Sequence, residues 1–492
     1  MFLIKLIQCV HTIARVNFAI QLIFNSHMQK KTHVIILLSF LMAANARGQV
    51  LTLKEAVQKS LANYGTLKAK ANYVNASKAL VKESSREYLP DLNISAQQDY
   101  GTINSQNGPL YGYRGLGSAA SGPVLSTQSW NAAFGALYLT NINWDFFAFG
   151  RAKEKVRVAR SVESLNTNDL EQEKFRQEVR VAAAYLNLLA AQRISRSQKN
   201  NLERALALQL VVSTRAKNGL TAGVDSSLAN AEVSNAKIDL TTATDYEQQQ
   251  AVALAQSMGI TAPNFGFLLD TLFIEQVPKG IYDTFSGKQQ DHPVLKYYQS
   301  RIAVSDQQAR YYHTLNFPTF TLFALYQGRG SGFDYNYGIL NPDGFSHGYW
   351  SGVDPTRSNY LVGLGVTWNL TNPLRVSQLE AAQKLNSRGL QDEYDLANQD
   401  LVNQLVLSDS KIRNAMANYA EAPTQVKAAT DAYTQKTVMY KNGLSTIVDV
   451  TQALYTLNRA ETDRDVAYSN VWQALLLKAA AVGDFGIFIN QF

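Results

Sequence analysis

The chain has 492 residues, 46% of them hydrophobic and 17% charged, a balance that excludes wholesale disorder. Its formal charge of +7 falls to +3 without the four cations of residues 1–46, and the remaining basic residues are scattered among acids, which excludes a nucleic-acid footprint. The only cysteine, Cys9, also lies in that stretch, so the rest of the chain has no disulfide, thiolate metal site or cysteine nucleophile.

Residues 1–46 read as a leader, with Met28 a second candidate start. Lys30 and Lys31, the apolar run VIILLSFLMAA and the small-x-small site Ala44-Asn45-Ala46 describe a secretory signal. The run is shorter than the roughly 18 apolar residues that a spanning helix needs. A mature chain starting at Arg47 is therefore expected to be exported.

From Leu53 to about Arg86 the composition is helical, and Leu89-Pro90 stops it. In DLNISAQQDY the period changes to two, with Leu92, Ile94, Ala96 and Tyr100 alternating with Asp91, Asn93, Ser95, Gln97 and Asp99. After a loop rich in Gly, Ser and Tyr (102–129), alternation resumes from Trp130 to Trp144. Arg151 to Lys217 then contains no proline, and Val179, Ala183, Leu186, Ala190 and Ile194 recur at coiled-coil spacing. A helix of that length would reach roughly 100 Å, too long for a globular core. A turn, KNGLTAGVD (217–225), reverses it into a second helix over about 224–258.

After a proline-punctuated connector (261–292), the second half repeats this order. A helix over 293–314 stops at Phe317-Pro318, strands follow around Phe320–Tyr326 and Tyr360–Trp368, and a long helix reverses at KNGLSTIVD (441–449) into a helix over 446–481. Trp144 and Trp368, Arg151 and Arg375, and the two KNGL turns are all 224 apart, the signature of a tandem duplication. The units are thus 47–260 and 293–483, joined by 261–292 and followed by a tail over 484–492. Gly219 and Gly443 are expected to take the left-handed shape of a sharp helix end. Asp225 and Asp449 stand where they could cap the returning helices, a role expected more of Asp225 than of Asp449.

Each strand segment is long enough to cross a bilayer when tilted, and Trp130, Trp144, Tyr360 and Trp368 suit interfacial girdles. Four strands cannot close alone, and open edges are not tolerated in lipid, so several copies must pool their strands. A soluble bundle with a sheet would expose a wide aromatic surface to water.

With LTLKEAVQKSLANYGTL near the start, the YLPDL and LNFPTF breaks and the two KNGL…VD tips, the chain resembles the TolC-like outer-membrane efflux family from Leu51 to about Gly483. The resemblance implies an α+β membrane protein in the outer membrane, three copies closing a twelve-strand barrel above a periplasmic coiled-coil tunnel. It also implies a periplasmic adaptor and an inner-membrane pump of the RND type as partners, no cofactor and no catalysis. The matching tip, Tyr440 to Ala453, would narrow the periplasmic aperture, with Asp449 as a ring of like charges and Tyr440, Gln452 and Asp225 beside it. Two positions depart from the family pattern: Gln452 stands in place of a second acid, and Ser445 in place of an arginine. Lys217, Gly219, Leu220, Lys441, Gly443, Leu444 and Ser445 would meet the adaptor.

No Ser/His/Asp set, phosphate loop or metal spacing is apparent, and His292, His313 and His347 are expected at surfaces or interfaces. Type I protein secretion, or a non-conducting surface protein, remain alternatives at this stage.

Overall fold

The computed structural model describes residues 50–104, 112–113, 116–117, 122, 124–261, 266–271, 276–281 and 291–491. The stretch expected to be a leader with a secretory signal, and Cys9 within it, lies outside the described residues, as do parts of the first long loop and of the connector.

The first repeat begins with α1 (Leu53–Asn63), opened by a reciprocal capping box between Thr52 and Glu55. It continues as α2 (Gly65–Arg86), so the helical stretch expected as one piece is broken at Tyr64, which is extended (φ −62°, ψ 121°). The cause is tertiary. The carboxyl end of a later helix, at left-handed Gly259, is seated on Asn63, where a Cβ would come within 3.0 Å of the backbone. Strand β1 (Asp91–Thr102) follows, then a two-residue ribbon of β2 (Gly112–Tyr113) and β3 (Leu116–Gly117), and β4 (Ala132–Phe147). The long hairpin is α3 (Arg151–Lys217) and α4 (Gly223–Met258), 67 and 36 residues.

The second repeat has α5 (Pro293–Thr314), β5 (Thr319–Ser331), the short α6 (Tyr349–Val353) and β6 (Arg357–Thr367). Its hairpin is α7 (Asn372–Lys441) and α8 (Ile447–Val482), 70 and 36 residues, followed by α9 (Gly486–Ile489). His292, expected at a surface or interface, is instead buried at the start of α5. Its Nδ1 accepts from Val294 N (3.1 Å) and its Nε2 donates to Ala480 O (3.1 Å), which joins α5 to the end of α8. His313 lies exposed beside Glu380, and His347 beside Tyr100.

The four long strands form one antiparallel sheet in the order β1-β4-β5-β6, so β1 and β6 are unpaired edges. The repeats meet at the central β4–β5 pair. A matching staple fixes each helix-to-strand break. The Trp144 indole N–H donates to Tyr88 O (2.9 Å) and the Trp368 indole to Asn316 O (3.0 Å), each two residues before the break proline. No described helix is long and apolar enough to cross a membrane.

The main core sits at mid-height of the rods. Val181, Tyr185, Leu188 and Leu189 of α3 and Val471, Trp472 and Leu475 of α8 pack with Leu53 and Val57 of α1, Leu254 and Met258 of α4, and Phe488 of α9. The Tyr185 hydroxyl donates to Leu51 O (2.9 Å) and accepts from Asp270 N (3.0 Å), pinning the amino-terminal segment and the connector against the rods as an equatorial layer.

Two of the left-handed glycines, Gly259 and Gly219, give a direct contrast. Gly259→Ala puts a Cβ against the Asn63 backbone and should destabilise by roughly 1–3 kcal/mol, as a strained backbone does. Gly219→Ala meets nothing within 4 Å and should show only the left-handed penalty of about 1–2 kcal/mol. Denaturant unfolding of the two variants should rank them in that order.

Candidate functional site

Two regions carry functional geometry: the faces of the sheet and the far tips of the hairpins. Strand pairing aligns side chains into rows across all four strands. One face carries Leu92, Ile142, Ala324 and Val362 in a single row, with Trp144, Leu322 and Leu364 in the next. These face solvent in the single chain, Leu92 at 62% and Val362 at 66% exposure. The opposite face carries Asn93, Asn141, Leu325 and Leu361 in one row and Ser95, Leu139, Gln327 and Asn359 in another. The sheet therefore has an outward apolar side and a mainly polar one, as a barrel wall between lipid and an aqueous lumen requires.

The predicted aromatics fall at different heights. Trp144 and Trp368 lie at the helix end of the sheet. Trp130 stands 82% exposed just before β4, at the loop end, and Tyr360 is opposite Tyr326 within the β5–β6 pair.

At the other end of the molecule the two KNGL tips have the same backbone. Gly219 and Gly443 are left-handed (φ 68° and 75°). In the first tip Leu220 N donates to Arg215 O and Gly219 N to Ala216 O; in the second Leu444 N donates to Met439 O and Gly443 N to Tyr440 O. These are paired Schellman closures. Lys217 and Lys441 end their helices, and Leu220 and Leu444 project at 66% and 72% exposure.

The side chains around the tips differ sharply. Asp449 completes a capping box on Thr446: its Oδ2 accepts from Thr446 N (3.0 Å), Thr446 Oγ1 (2.9 Å) and Ser445 Oγ (3.0 Å). Lys436 Nζ stands 3.7 Å from Oδ1. The backbone N–H of Thr446 first, then the two hydroxyls, hold the Asp449 carboxyl down at about 2. The expectation about capping is thus reversed. Asp449 is the capping acid, while α4 begins at Ala222 with no side-chain cap. Asp225 is half-buried and near enough to Tyr440 for its charge to act on the phenol. Gln452 is exposed on the next turn.

Tyr440 is buried among Leu208, Val212, Ala229, Ile447 and Val450, so both hairpins contribute to its surroundings. Burial pushes its phenol up, the Asp225 carboxylate adds to that, and Arg215 opposes it. Arg215 was not anticipated. Its guanidinium lies 5.4 Å from the Tyr440 ring centre and donates to Lys441 O, clamping the first tip onto the second. Nothing in its local sequence marks this, because the partners lie 225 and 226 positions away and Met439 occupies the equivalent place in the other repeat.

Higher up, polar pairs lie beside the apolar contacts between α3 and α8. Arg204 makes a two-pronged pair with Glu461 (3.1 and 2.7 Å), Asn458 donates to Gln198 (3.1 Å) and Gln473 to Asn187 (3.0 Å). Among the described residues no His, Cys, Asp and Glu side chains are grouped to hold a metal.

An outward apolar sheet on two long helical hairpins defines a class, the outer-membrane channels with a periplasmic rod. Residues 56–260 match the family model of the outer membrane efflux proteins. Three solved structures share the fold over 88% of this chain. They are VceC from Vibrio cholerae (15% identity, 96% of that chain, TM-score 0.68), the Campylobacter jejuni CmeC outer membrane channel (14%, 85%, 0.69) and the open state of the Neisseria gonorrhoeae MtrE outer membrane channel (14%, 89%, 0.66). No curated protein matches the sequence. The chain thus resembles the outer membrane efflux proteins over residues 56–260 and shares the fold of outer-membrane channels over most of its length.

Because the folded Asp449 carboxyl titrates below its ordinary value of 3.8, its contribution to the tip is fully present above about pH 4 and is lost as pH falls through about 2. Amide exchange at residues 446–449 should stay slow at pH 4 and quicken toward pH 2. Asp449→Ala should show the quick rate at every pH.

Proposed function

We propose that this protein is the exit duct of a tripartite efflux assembly, passively conducting small molecules that an inner-membrane pump of the RND type delivers through a periplasmic adaptor. The observation that carries the reading is the pair of unmet edges. Strand β1 is unpaired on one flank and β6 on the other. Near the sheet, α3 lies between α2 and α5, and α5 between α3 and α7, so α2 and α7 are the outer helices on the same two sides. Both carry exposed apolar side chains, Tyr73 and Leu80 on α2 and Leu374, Leu385 and Leu396 on α7. Edges that differ on the two sides make a head-to-tail ring. Three copies give twelve strands, an even number in the range of known barrels.

In this ring Trp144 and Trp368 form the periplasmic girdle, and Trp130 and Tyr360 stand toward the outer leaflet. The tips form the aperture. Asp449 contributes one carboxylate per subunit, softened by Lys436 of the same chain, and Tyr440, Asp225 and Gln452 surround it. The Arg215 clamp supplies the link between hairpins that Ser445 cannot. Lys217, Gly219, Leu220, Lys441, Gly443, Leu444 and Ser445 form the docking rim, where the projecting leucines offer apolar knobs to a helical hairpin of the adaptor.

Purified protein should have the mass of a trimer and conduct in a planar bilayer with cation preference. A monomer, or an oligomer that never conducts, overturns the duct. Asp449→Asn should lower the cation preference, and an unchanged preference removes Asp449 from the aperture.

Replacing Leu220 and Leu444 with Asp should abolish pump-dependent export while leaving trimer mass and conductance intact. Export that survives places the docking rim elsewhere.

A further inference from the structure

At mid-height, α3, α8 and α7 enclose a cleft of about 530 Å³ whose polar lining is almost wholly carboxamide: Asn187, Asn414, Asn418, Asn470 and Gln473, with Lys411 the one charge. Its orientation follows from the helices. Tyr185 and Trp472 face the equatorial layer. Asn187 is two positions after Tyr185 and Asn470 two before Trp472, each about 200° round its helix. These two carboxamides therefore turn away from the equatorial layer, toward the tunnel side of the ring proposed above, and Ala415, Ala474 and Leu476 of the core form the floor of the cleft.

The hydrogen-bonding capacity there is unspent. The Gln473 amide N–H bonds to Asn187 Oδ1 (3.0 Å), leaving the Gln473 oxygen and the Asn187 amide N–H free to face the cleft. Asn414, Asn418 and Asn470 make no side-chain hydrogen bond, and Lys411 no ion pair, among the described residues. The nearby acid, Asp409, is paired with Lys478 at 3.1 Å. No Asp or Glu lines the cleft.

We propose that this cleft is a binding station on the tunnel wall for small hydroxylated carboxylates. A carboxamide offers both a donor and an acceptor, which matches a hydroxyl. Five of them on three helices suit a polyol chain, and the single ammonium selects a carboxylate at one end. The station rests on the duct reading, since only in a ring does the cleft face a lumen.

The test uses the trimer in a planar bilayer, with gluconate as probe and sorbitol as its uncharged counterpart. Gluconate should block the wild-type current reversibly and saturably, and sorbitol should do so far more weakly. Lys411→Ala and, separately, Asn414→Leu with Asn418→Leu should leave the open conductance intact and raise the half-blocking gluconate concentration by about tenfold, the cost of one lost charge-assisted hydrogen bond. A conducting channel that gluconate does not block, equal block by sorbitol, or variants blocked like the wild type would overturn the station and leave the duct standing. A protein that never conducts would overturn the duct itself.

Discussion

A sheet with two unpaired edges cannot stand in a bilayer, and most of this structure follows from that constraint. Each edge strand leaves a row of backbone N–H and C=O groups unsatisfied, and every such group costs several kcal/mol in hydrocarbon. The apolar row from Leu92 to Val362 commits one face to lipid, so water cannot serve the edges. Another strand can, and in the ring proposed above the flank that ends at β6 meets the flank that begins at β1. Below the sheet the same logic continues in side chains instead of backbone, with leucines of α7 and α2 left bare on the same two flanks.

The duplication gives this closure its economy of design. One sequence unit supplies a strand pair and a helical hairpin, and two units joined through β4–β5 supply four strands. The repeated parts are those that set backbone geometry: the proline breaks, the tryptophan staples that hold them and the glycine tips. The parts that differ set chemistry. Arg215 in one tip reaches the ring of Tyr440 in the other, and Met439 occupies the equivalent place in the second repeat. A capping box closes the start of α8 but not that of α4.

Most of the fold was legible because its signals are local. The switch from period 3.6 to period two, a proline at each helix-to-strand break and a glycine at each reversal placed α3 at residues 151–217 and α5 at 293–314 without tertiary information. The break at Tyr64 was not legible, because it is imposed by Gly259 packing on Asn63 from a distant helix. His292 was misplaced for a similar reason: its burial depends on Ala480 and Gly483, nearly two hundred positions away. The tips were found and their chemistry only partly so. Capping was expected more of Asp225 than of Asp449, and the deciding residue was the one before each helix, Ala222 in one case and Thr446 in the other.

The polar pairs set among the apolar contacts of α3 and α8 have a mechanical consequence. Within each hairpin the helices are glued by buried apolar side chains, whose separation exposes surface that water cannot compensate. Between the hairpins, apolar contacts are joined by the pairs Arg204 with Glu461, Gln198 with Asn458 and Asn187 with Gln473. Water can substitute for such groups nearly one for one. The junction is thus mixed: apolar clusters rivet the two hairpins together at mid-height and at the tips, and the polar pairs beside them are the places where water can enter without breaking the packing.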